Sequence, residues 1–140
     1  MVLTETFATG FAVENTDVAE PVGGPISQFL AQQAELNNIW VAGSCLEQST
    51  NDDTRMVNAF VVASPSGEQF RYHKIHPFTY GGEAQHVQPG ESRVILDIEG
   101  IRTSLFICYD LRFADEFWSV AEQTDLYLVP ANWPIKRQTH

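Results

Sequence analysis

The sequence predicts a layered α/β domain, with helices packed on sheet that combines hairpins and crossovers. Three observations predict it: short apolar runs bounded by Gly, Pro and Asn/Asp clusters, two stretches with apolar residues at helical spacing, and an order of strand, helix, strand, hairpins, helix, strand. The 140 residues are 44% hydrophobic and 19% charged, with nine Phe, four Tyr and three Trp, enough to fill one core. No internal repeat or low-complexity tract divides them, so residues 1–140 read as a single domain.

Val2-Leu3 is an apolar pair too short for an ordinary strand, and it leads into a polar segment that resembles a strand-end loop. After Gly23-Gly24-Pro25, the apolar Ile26, Phe29, Leu30 and Ala34 alternate with Gln28, Gln32, Gln33 and Glu35. That spacing, with Pro in the first turn, predicts a helix ending near Asn37-Asn38. Residues 39–42 and Met56–Ala63 are apolar runs suited to buried strands. The second run is followed by Pro65-Ser66-Gly67 and a strand over 69–72, a hairpin pattern. Residues 94–98 and 102–107 flank Glu99-Gly100-Ile101 as a second hairpin. Phe113, Phe117, Val120 and Ala121 mark an amphipathic helix before the apolar run 126–129. Both ends read as cut: the first strand is too short, and Lys136-Arg137-Gln138-Thr139-His140 leaves the last strand uncovered. The expectation is a fragment of a longer protein.

Eight basic residues against eighteen acidic ones give a formal charge of −10. A surface that acidic repels phosphate backbones and anionic lipid heads, so neither nucleic acid nor a membrane is an expected partner. No apolar run approaches the roughly 20 residues of a spanning helix, and no basic segment followed by an apolar stretch opens the chain. The expected location is the cytoplasm, where Cys45 and Cys108 read as thiols.

Three segments could carry chemistry. Cys108 lies where a buried strand turns tightly into a helix, which presents its side chain outward, offers backbone N–H groups to an oxyanion and favours a thiolate. A buried apolar cysteine is the plainer reading. Lys74, in Tyr72-His73-Lys74-Ile75-His76-Pro77-Phe78, has apolar and aromatic neighbours on both sides; it is either an ammonium held in a dry site or an edge-strand lysine. Glu5, in Leu3-Thr4-Glu5-Thr6-Phe7-Ala8-Thr9-Gly10-Phe11, is either a buried general base or a solvated carboxylate. His73 and His76 are three apart, but without a matched second pair they lack structural zinc spacing, even with His86, His140 and Cys108 elsewhere.

Together these segments resemble the carbon–nitrogen hydrolase, or nitrilase, superfamily, whose triad is Glu, Lys and Cys. The carrying motifs are the Glu5 and Lys74 segments above, Ile107-Cys108-Tyr109-Asp110-Leu111-Arg112-Phe113, and Asn132-Trp133-Pro134. The wording of Phe7–Phe11, Cys108–Phe113 and Ala131–Pro134 is most similar to the ω-amidase branch. The resemblance implies a four-layer αββα sandwich, here partial: a mixed β-sheet with flanking helices that lacks the first strand and helix and the C-terminal half. It implies Cys108 as nucleophile, Glu5 as general base and Lys74 as the group stabilising the tetrahedral intermediate. Glu83 matches a second glutamate that positions substrate and assists the base, or it is a loop residue in a Gly-rich turn. Tyr109 would lend its backbone N–H to the oxyanion hole, and Arg112 would pair with a substrate carboxylate or brace the loop.

The implied reaction hydrolyses a small amide, such as a dicarboxylic acid monoamide, through a cysteine thioester, with no metal or organic cofactor. Nitriles and N-carbamoyl compounds are alternative substrates for the same triad, and an inactive, assembly-competent remnant is the alternative from another class. The resemblance further implies a homodimer or higher homo-oligomer formed through the region after the nucleophile. Two departures stand out. Thr4 occupies the place of a usual proline, which predicts a less rigid turn at Glu5. At half the family's length, the chain is also expected to expose a large apolar sheet face.

Overall fold

The computed structural model describes residues 1–52, 54–133 and 135. Helix α1 (Pro25–Asn37) starts with Pro in its first turn and ends at Asn38, which takes a left-handed φ of 51° and donates its N–H to Ala34 O and Glu35 O. Its N-terminus is capped from a distance. The Glu20 carboxylate accepts from Ile26 N at 2.8 and 3.0 Å and from Ser27 N at 3.1 Å, satisfying donors that a helix start leaves open.

Strands β1 (Val41–Gln48), β2 (Met56–Ala63) and β3 (Gln69–His73) form an antiparallel sheet in that order. Side chains alternate across it. Val57, Ala59, Val61 and Ala63 of β2 pack with Leu30 and Ala34 of α1, while Phe60 and Val62 face a second sheet. That second sheet holds β4 (Ile95–Ile98), β5 (Ile101–Leu105) and β6 (Leu126–Leu128). β4 pairs antiparallel with β5, and β6 runs parallel to β5, so this sheet is mixed. Helix α3 (Ala114–Val120) covers its outer side through Val120 and through Phe117, whose ring stacks on Phe106 at 4.2 Å between centroids. A four-residue helix, α2 (Glu83–His86), lies between β3 and β4. The layers are helix, sheet, sheet, helix.

The structure departs from the sequence expectations in four places. The strand expected at 39–42 begins at Val41 and runs on to Gln48, because Ser44 and Glu47, which interrupt the apolar run, are buried with polar partners. Val2 contributes one parallel bridge to Ala42 rather than a strand. The helix expected through Ala121 stops at Val120 and tightens into a 3₁₀ turn, Ala121–Gln123. The expected bare sheet face is absent between the two described sheets, which cover each other so that β2 is buried throughout. Exposed apolar side chains lie instead on the outside, where Trp118 is 80% exposed and Ile101, Leu111 and Leu126 are also open. Pro134 and residues 136–140, including His140, lie outside the described residues.

Candidate active site

Glu5, Lys74 and Cys108 meet at one end of the two facing sheets. Glu5 opens a turn after the Val2 bridge, and the next residue, Thr6, has a φ of 45°. The turn expected to be loose is tied down. Thr6 N donates to Ser44 Oγ at 2.8 Å, and Gly10 N to Thr6 O at 2.8 Å. Lys74 follows β3, and its N–H continues the sheet by donating to Asn58 O at 2.9 Å. Its whole side chain is inaccessible, so the edge-strand reading does not describe its surroundings.

Lys74 Nζ donates to Glu5 Oε1 at 2.8 Å and to Glu83 Oε2 at 2.7 Å, with all three side chains buried. Burial opposes its charge, but the two carboxylates and their hydrogen bonds outweigh it and hold Lys74 above the ordinary lysine value. Asn58, on the inner face of β2, completes the cluster by donating from Nδ2 to Glu5 Oε1 at 3.1 Å and to Glu83 Oε1 at 3.0 Å. Glu83, at the start of α2, also accepts from Phe78 N at 2.6 Å. It reaches Lys74 and not the cavity wall.

Cys108 follows β5 after Phe106-Ile107 and begins a 3₁₀ turn, Cys108–Arg112. Its φ of 41° is left-handed, a geometry that costs a non-glycine residue about 1–2 kcal/mol. Cys108 N donates to Pro130 O at 2.9 Å. Asp110 holds the elbow from within: its Oδ2 accepts from Ile107 N at 2.9 Å and from Tyr72 Oη at 2.7 Å, while Oδ1 accepts from His76 N at 2.9 Å. One buried carboxylate thus joins the cysteine elbow to the chain that follows Lys74. Burial still holds Asp110 above the usual carboxylate range despite these donors.

The helix start favours a thiolate at Cys108, and its other surroundings oppose one. Burial pushes the Cys108 thiol up to about 12, helped by the charge and hydrogen bond of Glu5, and Lys74 and the Asn132 backbone only partly oppose this. Glu5 Oε2 accepts from Asn132 N at 3.1 Å, so Asn132 bridges the acid and the sulfur region. Attack by this sulfur requires a base, and Glu5 is placed to be one.

Glu5, Lys74 and Cys108 open onto a cavity of about 240 Å³, walled by Phe11, Phe78, Tyr109, Arg112, Asn132 and Trp133. Tyr109 packs edge-on against Phe78 and Phe113 at 5.0 and 5.5 Å. Its backbone N–H belongs to the first turn after the cysteine, where N–H groups have no acceptor within the helix. Arg112 lies 5.5 Å over the Trp133 ring, and among the described residues no carboxylate is within ion-pair distance of it. A salt bridge bracing the loop is therefore not what the described residues contain.

The Carbon-nitrogen hydrolase family matches residues 1–135, nearly the whole chain. The chain belongs to this family. Among this family member's relatives, Omega-amidase YafV of Yersinia enterocolitica is 36% identical over 141 residues, covering 100% of the chain and 53% of the relative. The 2-oxoglutaramate amidase of Bacillus subtilis is 26% identical over 145 residues, covering 100% of the chain and 54% of the relative. The crystal structure of XC1258 from Xanthomonas campestris, a CN-hydrolase superfamily protein with an arsenic adduct in its active site, superposes with a TM-score of 0.88 at 31% identity. It covers 97% of this chain and 53% of that one. The chain spans about half the length of the curated relatives it matches.

Two polar residues of this site, Asn58 and Asp110, escaped functional reading of the sequence. The signal for Asn58 is a single amide inside the otherwise apolar run Met56–Ala63, since a buried polar group needs a partner. The paired histidines have separate surroundings: His76 stacks on Phe113 at 3.6 Å and meets Glu116 Oε1 at 3.0 Å, whereas His73 is in β3. Among the described residues, Glu20, Cys45 and Glu47 bring three ligand-type atoms within 4.8 Å. Their roles are structural, with Glu20 capping α1, Glu47 bound to Ser27 and Arg71, and burial pushing Cys45 up to about 12. No described helix is long and apolar enough to cross a membrane.

Proposed function

We propose that this chain carries the acyl-transfer site of an amide hydrolase acting on monoamides of small dicarboxylic acids. One observation supports the reading above all: a buried Glu5–Lys74 pair set beside Cys108 on the wall of a small cavity. Cys108 Sγ attacks the amide carbon as its proton passes to Glu5. A sulfur–carbon bond forms and the carbonyl electrons move onto oxygen, where Lys74 Nζ and the Tyr109 N–H supply positive charge. Collapse breaks the carbon–nitrogen bond, and the Glu5 proton leaves with ammonia. Water then attacks the thioester, giving its proton to Glu5, and the proton returns to the departing sulfur. Glu83 holds Lys74 in place during both halves.

The substrate class rests on Arg112 and on the relatives' names. Arg112 is a cation on the cavity wall that lies over the Trp133 face, and among the described residues no carboxylate pairs with it, which leaves its donors for a bidentate carboxylate. Succinamate is therefore expected to release ammonia much faster than uncharged butyramide. Arg112→Gln should raise KM for succinamate at least tenfold, as expected for losing about 1.5–3 kcal/mol of charge-assisted bonding, and leave butyramide unaffected. Equal loss with both amides would contradict the assignment.

A homodimer is proposed through the segment after the nucleophile, where Leu111 and Trp118 are exposed at 50% and 80%. Light scattering at high concentration should give twice the 15.7 kDa chain mass. Trp118→Glu should give a monomer, and a clean monomer from the native chain would contradict the proposal.

A further inference from the structure

We propose that Asn58 is a positioning residue that keeps Glu5 ready to receive a proton on the oxygen facing Cys108. The inference rests on the reading of Glu5 as the base. Asn58 is fully buried on the inner face of β2, opposite the face that Val57 and Ala59 turn toward α1. Its Nδ2 spends both hydrogens on carboxylates, Glu5 Oε1 at 3.1 Å and Glu83 Oε1 at 3.0 Å. Its own Oδ1 is buried without a partner among the described residues. A buried amide with a stranded acceptor is held for its donors, because the bonds to two charged groups must outweigh that loss.

The consequence lies in how the four carboxylate oxygens are occupied. Glu5 Oε1 already takes two donors, Lys74 Nζ and Asn58 Nδ2, whereas among the described residues Oε2 takes the one backbone donor Asn132 N. Oε2 is thereby the less occupied oxygen, with a lone pair for the Cys108 thiol proton. Glu83 is arranged likewise, with Oε2 taking Lys74 Nζ and Phe78 N, and Oε1 taking Asn58. The charged and titratable groups facing Glu5 are Lys74 after β3, Glu83 of α2 and Cys108 at the elbow, with Arg112 farther along the cavity. Two carboxylates against one ammonium leave a buried excess of negative charge. Asn58 is the neutral side chain among the described residues that bonds both acids, donating one hydrogen to each.

The test is the pH dependence of Cys108 alkylation by iodoacetamide, followed by peptide mass. This readout needs no turnover. In the native chain the rate should rise through an acid limb as Glu5 becomes ionised. Asn58→Leu keeps the volume and removes both donors, and the limb should move up by about one pH unit, the worth of one charge-assisted hydrogen bond. Asn58→Ser keeps one hydroxyl donor and should move it in the same direction by less, which preserves the test if the leucine variant does not fold. A folded variant whose rate falls equally at every pH, with the limb unmoved, overturns the proposal. Glu5→Gln separates the underlying reading: its profile should lose the acid limb, and a limb that persists there refutes Glu5 as the base rather than the role of Asn58.

Discussion

Lys74→Ala is expected to cost about 3–5 kcal/mol of stability as well as all acyl transfer, a large share of the roughly 5–15 kcal/mol that holds a domain together. Lys74 is the ammonium between Glu5 and Glu83, and all three side chains are shut off from water. Its removal leaves two adjacent carboxylates in the dry interior, held among the described residues by Asn58, the Cys108 thiol and backbone N–H groups. Urea denaturation of the variant should show stability increasing as pH falls from 8 toward 5, since uptake of one proton in the folded state removes the uncompensated charge. In the native chain the raised Lys74 value works the other way. Its contribution is fully present below the unfolded lysine value of 10.5 and is lost only as pH rises through the higher folded one. Removing all three charges together, as Glu5→Gln/Lys74→Met/Glu83→Gln, should recover much of the loss. A Lys74→Ala variant as stable as the native chain at pH 7 would show that the three charges are not buried as described.

Cys108→Ala is expected to abolish formation of any acyl intermediate while changing stability by less than about 1 kcal/mol. The thiol packs at the cavity edge, and its bonding is to Glu5, which keeps Lys74, Asn58 and Asn132 when the sulfur is gone. The backbone at this position supplies a further contrast. With φ at 41°, alanine keeps the steric cost of the elbow, whereas Cys108→Gly relieves it. The glycine variant should therefore be more stable than the alanine variant by about 1 kcal/mol, and both should be inert. Such a result would mean that the elbow is strained for presenting the nucleophile. Equal stabilities would place the strain elsewhere.

What the sequence disclosed follows from where the physics is local. Pro25 and Asn38 bound α1 by fixed φ and a left-handed cap, so its ends were readable within a residue. The turn between β2 and β3 is carried by Gly67 at φ 81°, again a local signal. Glu5, Lys74 and Cys108 stood in motif wording that resembles the family, and the structure brings them together although Glu5 and Lys74 are 69 positions apart. The far half of β1 was hidden because Glu47 satisfies its charge with Arg71 and with Ser27 of α1, partners that no strand pattern contains. Glu83 lay open between a loop residue and a substrate-positioning one because its burial depends on α2 folding against Lys74. The raised Cys108 thiol was hidden for a similar reason. The elbow favours a thiolate, but burial and the neighbouring Glu5 push the thiol up, and both are properties of the assembled site.

The most direct test of the central claim, that Cys108 takes an acyl group from an amide, is intact mass with peptide mapping after brief incubation of the 140-residue chain with succinamate. The account predicts one succinyl group, mapped to Cys108 and matched by released ammonia, with none on Cys45 and none in the Cys108→Ala variant. A chain that neither gains mass nor releases ammonia, or an adduct that survives Cys108→Ala, would contradict it.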